Sequence, residues 1–111
     1  MQITTSLEND VHVIRVEGSM DAITVNEFDA EWKKVLEEGA KKIVVEMSGL
    51  EYISSAGLRG ILMLAKTTKV KGVRLAFAGM RDMVSDMFRL SGFLTILSVH
   101  PDVQAAVASL Q

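Results

Sequence analysis

From Lys42 onward the apolar residues of this chain alternate between short continuous runs and stretches at helical spacing, and glycine, serine or proline marks most of the switches. That alternation constrains the fold most strongly. A strand, a helix and another strand in succession pair the strands in parallel through a right-handed crossover. Ile43-Val44-Val45-Glu46-Met47 is a largely β-branched run and predicts a strand covered on both faces. Ser48 to Ser54 reads as a loop. From Ser55, Leu58, Ile61, Leu62 and Ala65 share one helical face, and Gly72 closes the segment. Val73 to Ala78 predicts the next strand, with Gly79 ending it. Asp82 to Leu90 predicts a helix stopped by Gly92, and Thr95 to Val99 a last strand. Pro101 at a helix start, followed by Val103, Ala106, Val107 and Leu110, predicts a C-terminal helix.

Upstream of Lys42 the period is first two, then 3.6. Ile3, Thr5 and Leu7 alternate with their neighbours, as do Val11 and Val13, so both stretches read as strands. Glu8-Asn9-Asp10 between them is turn chemistry, which predicts an antiparallel hairpin. Gly18 is expected to end the second strand. Thr24-Val25-Asn26-Glu27 has the form of a capping box, in which Thr24 and Glu27 satisfy each other's free amides. Val25, Phe28, Trp32, Val35 and Leu36 then follow at helical spacing, with Gly39 as the stop. The order is therefore β-β-α-β-α-β-α-β-α. The predicted fold class is α/β, a single domain over residues 1–111: a mixed, mostly parallel sheet with an antiparallel N-terminal hairpin and about four helices.

Composition narrows what such a domain does. A chain of 111 residues, 49% hydrophobic and 23% charged, can bury a core without staples. It contains no cysteine, so disulfides and thiolate metal sites are excluded. The formal net charge of −2 argues against general nucleic-acid binding, and the basic residues are dispersed among acids in the sequence. No apolar run approaches the roughly 18 residues of a membrane span. The first residues lack the basic and apolar regions of a signal peptide, so a cytoplasmic location is the expectation. There is no Gly-x-Ser-x-Gly elbow, no Gly-x-x-x-x-Gly-Lys-Ser/Thr loop and no Gly-x-Gly-x-x-Gly fingerprint. His12, read as pointing outward from a strand, and His100, read as lying in a loop, lack ligand spacing. No motif here reads as a catalytic, metal or cofactor site, and although a Ser-His-Asp set is left open by the sequence, nothing points to one.

In open α/β sheets, sites lie beyond the carboxyl ends of the strands. Two segments there carry usable chemistry: Gly18-Ser19-Met20-Asp21, and Ser48 through Leu58. Ser54-Ser55-Ala56-Gly57 stands where a helix begins, so a hydroxyl there either caps free amides or accepts a phosphate that the amides and helix dipole stabilise. Gly57 leaves room for a second backbone to approach. Asp21 is either a turn residue ahead of the first helix or a carboxylate near the second loop, able to orient a serine or hold a metal ion with a partner's nucleotide. Met80, Met83, Met87, Phe88, Leu90 and Phe93 form a stripe whose first reading is core. Any part of it left exposed would be an adaptable binding surface.

Element order and the two segments together resemble the STAS domain, the fold of bacterial anti-sigma factor antagonists, over essentially the whole chain. Gly18-Ser19-Met20-Asp21 is similar to the family's Gly-x-hydrophobic-Asp. Met47 to Leu58 is similar to its signature ending in Ser-x-Gly-Leu. The resemblance implies a protein that binds an anti-sigma factor, itself a serine kinase with an ATP-binding fold, and that releases it when phosphorylated; a serine phosphatase restores binding. Carried over by position, Ser55 is the phosphoacceptor and Ser54 the competing one. Asp21 lies beside the acceptor, and Asp21, Ser54, Ser55, Gly57, Leu58 and Arg59 form the partner surface, with Arg59 the first choice among contacts. The partner brings ATP and magnesium. The chain itself is expected to be a monomer or weak dimer, with no direct nucleic-acid partner. Two departures stand out: Ser54 where the well-studied regulators carry Asp, and Glu46 where Asp is usual. The same fold also serves as an unphosphorylated subunit of signalling or lipid-transport assemblies; an acidic partner site, or a Ser55 buried and hydrogen-bonded as a plain cap, would favour that reading. A small-molecule sensor or enzyme would need an enclosed pocket with convergent polar groups, a cavity of roughly a few hundred Å³ or more near the two loops.

Overall fold

Asn9 and Asp10 both adopt left-handed backbone, with φ of 48° and 63°. A two-residue loop of that hand matches the twist of the strands it joins, and short polar side chains tolerate it best. It connects β1 (Gln2–Glu8) to β2 (Val11–Met20) in an antiparallel hairpin. The computed structural model describes residues 1–111. The remaining elements are α1 (Val25–Glu37), β3 (Lys42–Ile53), α2 (Ser55–Lys71), β4 (Arg74–Ala78), α3 (Asp82–Leu90), a 3-10 turn (Phe93–Thr95), β5 (Val99–His100) and α4 (Val103–Ser109). The sheet order is β1-β2-β3-β4-β5, parallel from β2 onward. The predicted α/β class and the mixed sheet are present.

The sheet is covered unequally. Along β3, Ile43, Val45 and Met47 point to the larger core beneath α1, α2 and α3, where they meet Phe28, Trp32, Ile61, Leu64, Val84 and Phe88. Val44 points the other way, into a smaller core under α4 with Val11, Val13, Ala76, Ala78 and Val107. The β-branched run of β3 is buried on both faces, as its composition predicts. Phe88 sits edge-on between Phe77 and Phe93, at centroid distances of 6.2 and 5.8 Å.

Several expectations are corrected. Gly18 does not end β2. It takes φ 96° at a break in register and the strand runs on to Met20. Ser48 to Ile53 is not a loop but the second half of β3, paired with the end of β2 from Glu17↔Gly49 to Met20↔Ile53. The two register shifts in that pairing space the buried residues Met47, Leu50 and Ile53 three apart, which hides the strand period of two. Thr95 to Val99 is not a full strand. Phe93 to Leu97 coils into a turn closed by the Leu97 amide on Phe93 O at 3.0 Å, leaving only Val99 and His100 to pair with β4. His100 is therefore a strand residue, not a loop one. Pro101 precedes the C-terminal helix, which starts at Val103 and is capped by Asp102 accepting from the Ala105 amide at 2.8 Å.

Candidate functional site

The extended halves of β2 and β3 end side by side, and there the two candidate segments meet. The Ser54 amide donates to Met20 O at 2.9 Å, which ties the start of α2 to the end of β2. Gly57 makes this approach possible. A Cβ on Gly57 would lie 2.7 Å from Met20 O and 2.7 Å from Ile53 Cγ1. The second backbone that this glycine admits is the chain's own.

The two serines divide the work. Ser54 is extended (φ −93°, ψ 176°) and its Oγ accepts from the Gly57 amide at 3.2 Å, so it is the N-cap of α2. Ser55 is the first helical residue. It is exposed, and its hydroxyl has no hydrogen-bond partner in the chain. Capping and a free hydroxyl are thus assigned to different residues, which the sequence did not separate.

Asp21 performs the local task expected of Thr24 and Glu27. Thr24 has helical backbone and makes no capping bond to the helix, so the predicted capping box is absent. Instead Asp21 Oδ1 accepts from the Ile23 amide at 2.9 Å and the Thr24 amide at 3.0 Å. Asp21 O accepts from the Val25 amide at 2.9 Å. Thr24 Oγ1 accepts from the Asp21 amide and donates to Ser19 O, at 2.9 and 2.8 Å. The Thr24 amide first, and the Ile23 amide second, hold the Asp21 carboxyl below its ordinary value. Asp21 reaches the serine loop through the backbone of Met20, and it makes no hydrogen bond to either serine.

The other predicted residues separate by burial. Leu58 is 8% exposed and belongs to the larger core, so little of its side chain is open to a partner. Its side chain lies on the same face of α2 as Ile61 and Leu64, and is spent on packing. Gly57 is likewise buried and acts through its missing side chain. Arg59 is exposed and lines an open groove of about 310 Å³ between α1 and α2, with Ala22, Asp29, Ala56 and Met63. Of the methionine stripe, Phe88 is core. Met83 and Leu90 are 58% and 79% exposed, on α3.

Sequence reasoning missed the apolar residues at the site. Ile23 projects from the β2–α1 turn, Tyr52 from the end of β3 and Met63 from α2, all exposed. None had a period to betray it. It also missed a brace across the neighbouring turn, where Glu46 Oε2 accepts from the Ser48 amide at 3.0 Å and Arg81 Nε donates to Ser48 O at 2.7 Å. The lysines, scattered in the sequence, are gathered by the fold. Six lie in the second half of α1, the start of β3 and the second half of α2, and Lys41 immediately precedes β3, all toward the end of the molecule opposite Ser55.

Residues 2–106 match the family model of the STAS domain, and the chain belongs to that family. It is 28% identical over 111 residues to BtrV of Bordetella bronchiseptica, described as an anti-sigma factor antagonist, covering 100% of this chain and 96% of that one. An anti-sigma factor antagonist from Mycobacterium paratuberculosis superposes with a TM-score of 0.86 at 20% identity, over 97% of this chain and 93% of that chain. The Bacillus cell fate determinant SpoIIAA in its phosphorylated form superposes with a TM-score of 0.76 at 17% identity, covering 99% and 100%. No helix of the chain is long and apolar enough to cross a membrane.

Proposed function

We propose that this chain is an anti-sigma factor antagonist, a binding protein that sequesters an anti-sigma factor while Ser55 is unmodified and releases it once Ser55 is phosphorylated. The observation that carries the reading is the free, exposed hydroxyl of Ser55 beside a Ser54 already committed to capping. A kinase can take the first without unwinding the helix, whereas taking the second removes the cap. The partner is an anti-sigma factor with serine kinase activity. It brings ATP and magnesium, and this chain contributes a hydroxyl. The Ser55 Oγ attacks the γ-phosphorus, the bond to ADP breaks, and the hydroxyl proton passes to a base of the kinase. The product adds about −1.5 to −2 charge to a molecular surface that also exposes the apolar Ile23, Tyr52 and Met63. A serine phosphatase reverses the step. The protein works in the cytoplasm, as a monomer or weak dimer, without catalysing a reaction.

A Ser55 buried and bonded as a plain cap would have favoured the family's use as an unphosphorylated assembly subunit, and the exposed hydroxyl gives that reading no such support. The groove beside Arg59 is open along its length and no observation favours an enclosed ligand.

Intact-mass analysis with peptide mapping, on wild type, Ser54→Ala and Ser55→Ala produced in native cells, tests the reading. One phosphate is expected on wild type and on Ser54→Ala, changing with growth condition, and none on Ser55→Ala. Phosphate on Ser55→Ala but not on Ser54→Ala reassigns the acceptor. Unmodified protein in every condition refutes the switch.

A further inference from the structure

We propose that Arg59 is the internal receptor for a phosphate on Ser55, so that phosphorylation withdraws Arg59 from a partner as well as adding charge. This rests on the phosphoacceptor reading above and names how the modification acts.

Arg59 is the one arginine of the chain with neither an ion pair nor a hydrogen bond. Arg15 is held by Ser6 and Glu8, Arg74 by the carbonyls of Ser109 and Leu110, Arg81 by Ser48 O and Arg89 by Asp86. The carboxylate that shares the groove makes no ion pair with it: Asp29 Oδ1 accepts instead from the Trp32 indole at 3.1 Å. A free guanidinium is therefore kept at this face of the molecule.

Helix geometry brings Arg59 to Ser55. The two are four residues apart on α2, which places them on one face. A long helical side chain leans over the turn on its N-terminal side, and for Arg59 that is the turn of Ser55. A serine hydroxyl offers the guanidinium only a weak neutral partner. A phosphate offers two oxygens at the spacing of its fork. The interaction thus exists in one state of the switch and not in the other, which is the requirement for a ligand-like bias between them. In the unmodified protein Arg59 is available to a carboxylate of the partner. In the modified one it is folded back, and the face turns from net positive to net negative at this position. Both side chains are exposed, so the pair is of surface strength and weakens with salt.

The test needs no kinase. Phosphoserine is incorporated at position 55 during translation, in wild type and in Arg59→Gln and Arg59→Lys, and the phosphorus resonance is titrated by NMR. The second phosphate ionisation of wild type is expected about half a pH unit below that of Arg59→Gln. That is a roughly threefold change in proton affinity, ~0.7 kcal/mol. Arg59→Lys is expected in between, and the difference should vanish at high salt. Equal titration of wild type and Arg59→Gln at low salt, with equal melting temperatures, overturns the inference. Because the phosphate is installed directly, that result would leave the proposed function standing. An absence of phosphate in native cells would do the reverse.

Discussion

Replacing Gly57 with alanine sets two opposed effects against each other. Alanine is the better helix former by about 1 kcal/mol, so an ordinary helical glycine would be improved by the change. Gly57 is not ordinary. Its new methyl would lie 2.7 Å from Ile53 Cγ1, 2.7 Å from Met20 O and 3.1 Å from Met20 Cγ. The carbonyl is backbone, and it already accepts from the Ser54 amide at 2.9 Å, so relief requires α2 to move off the end of β2. Overpacking of a fitted contact costs about 1–3 kcal/mol, and weakening the Ser54–Met20 bond about 1 kcal/mol more. The steric side wins, and Gly57→Ala is expected to destabilise by about 2 kcal/mol, which lowers Tm by about 8 °C in a domain of this size. Thermal melting by circular dichroism reads the total. Hydrogen exchange locates it, with faster exchange expected at the amides of Ser54 and Gly57. A Tm at or above that of wild type would mean that α2 does not press on β2 there, and the argument that places Ser55 would fail with it.

Ser54→Ala should lose about 1 kcal/mol of stability with its cap, while Ser55→Ala should melt like wild type; equal losses would show that the cap is misassigned. Leu58→Ala should cost about 3 kcal/mol in chemical denaturation and Arg59→Ala less than about 0.5, and a reversal would place Leu58 on the surface. Asp21 has a lowered carboxyl pKa in the folded chain, so its stabilisation is complete above the unfolded value near 3.9 and disappears as pH falls through the lower folded value. The Tm gap between wild type and Asp21→Asn should therefore be full at neutral pH and narrow below about pH 4; a gap independent of pH would show that charge is not what the Ile23 and Thr24 amides hold.

The parts of the fold legible in the sequence are those where one face decides the period. Phe28, Trp32 and Val35 fall on the buried stripe of α1, and Ile43 to Val45 form a strand buried on both faces, because nothing interrupts their packing. The close backbone approach expected at Gly57 is present as well, against Met20 O. Hidden were the features that depend on contacts distant in sequence. Thr24 and Glu27 satisfy the local rule for a capping box, yet Asp21 supplies the acceptor because the turn it starts is anchored to Ser19. Thr95 to Val99 has the composition of a strand, but Phe93 is drawn against Phe88 and the chain coils before it can pair.

The largest misreading, Ser48 to Ile53 taken as a loop, is also where the site acquires its rigidity. A loop would leave Ser54 and Ser55 free to shift with the partner. A strand paired residue by residue with β2 does not, and its last pair, Met20↔Ile53, delivers the chain directly to the Ser54–Met20 bond. The irregular register that conceals this strand is what turns Leu50 and Ile53 inward despite their spacing. Gly49 has its own part in it, since a Cβ there would strike Glu17 Cγ at 2.6 Å where the two strands cross the break. Residues that look like turn formers in the sequence are therefore the ones that let two strands continue together, and the backbone that carries Ser55 is held in place at the end of such a ladder. On the proposed function, a partner that docks here would have little of this backbone left to order.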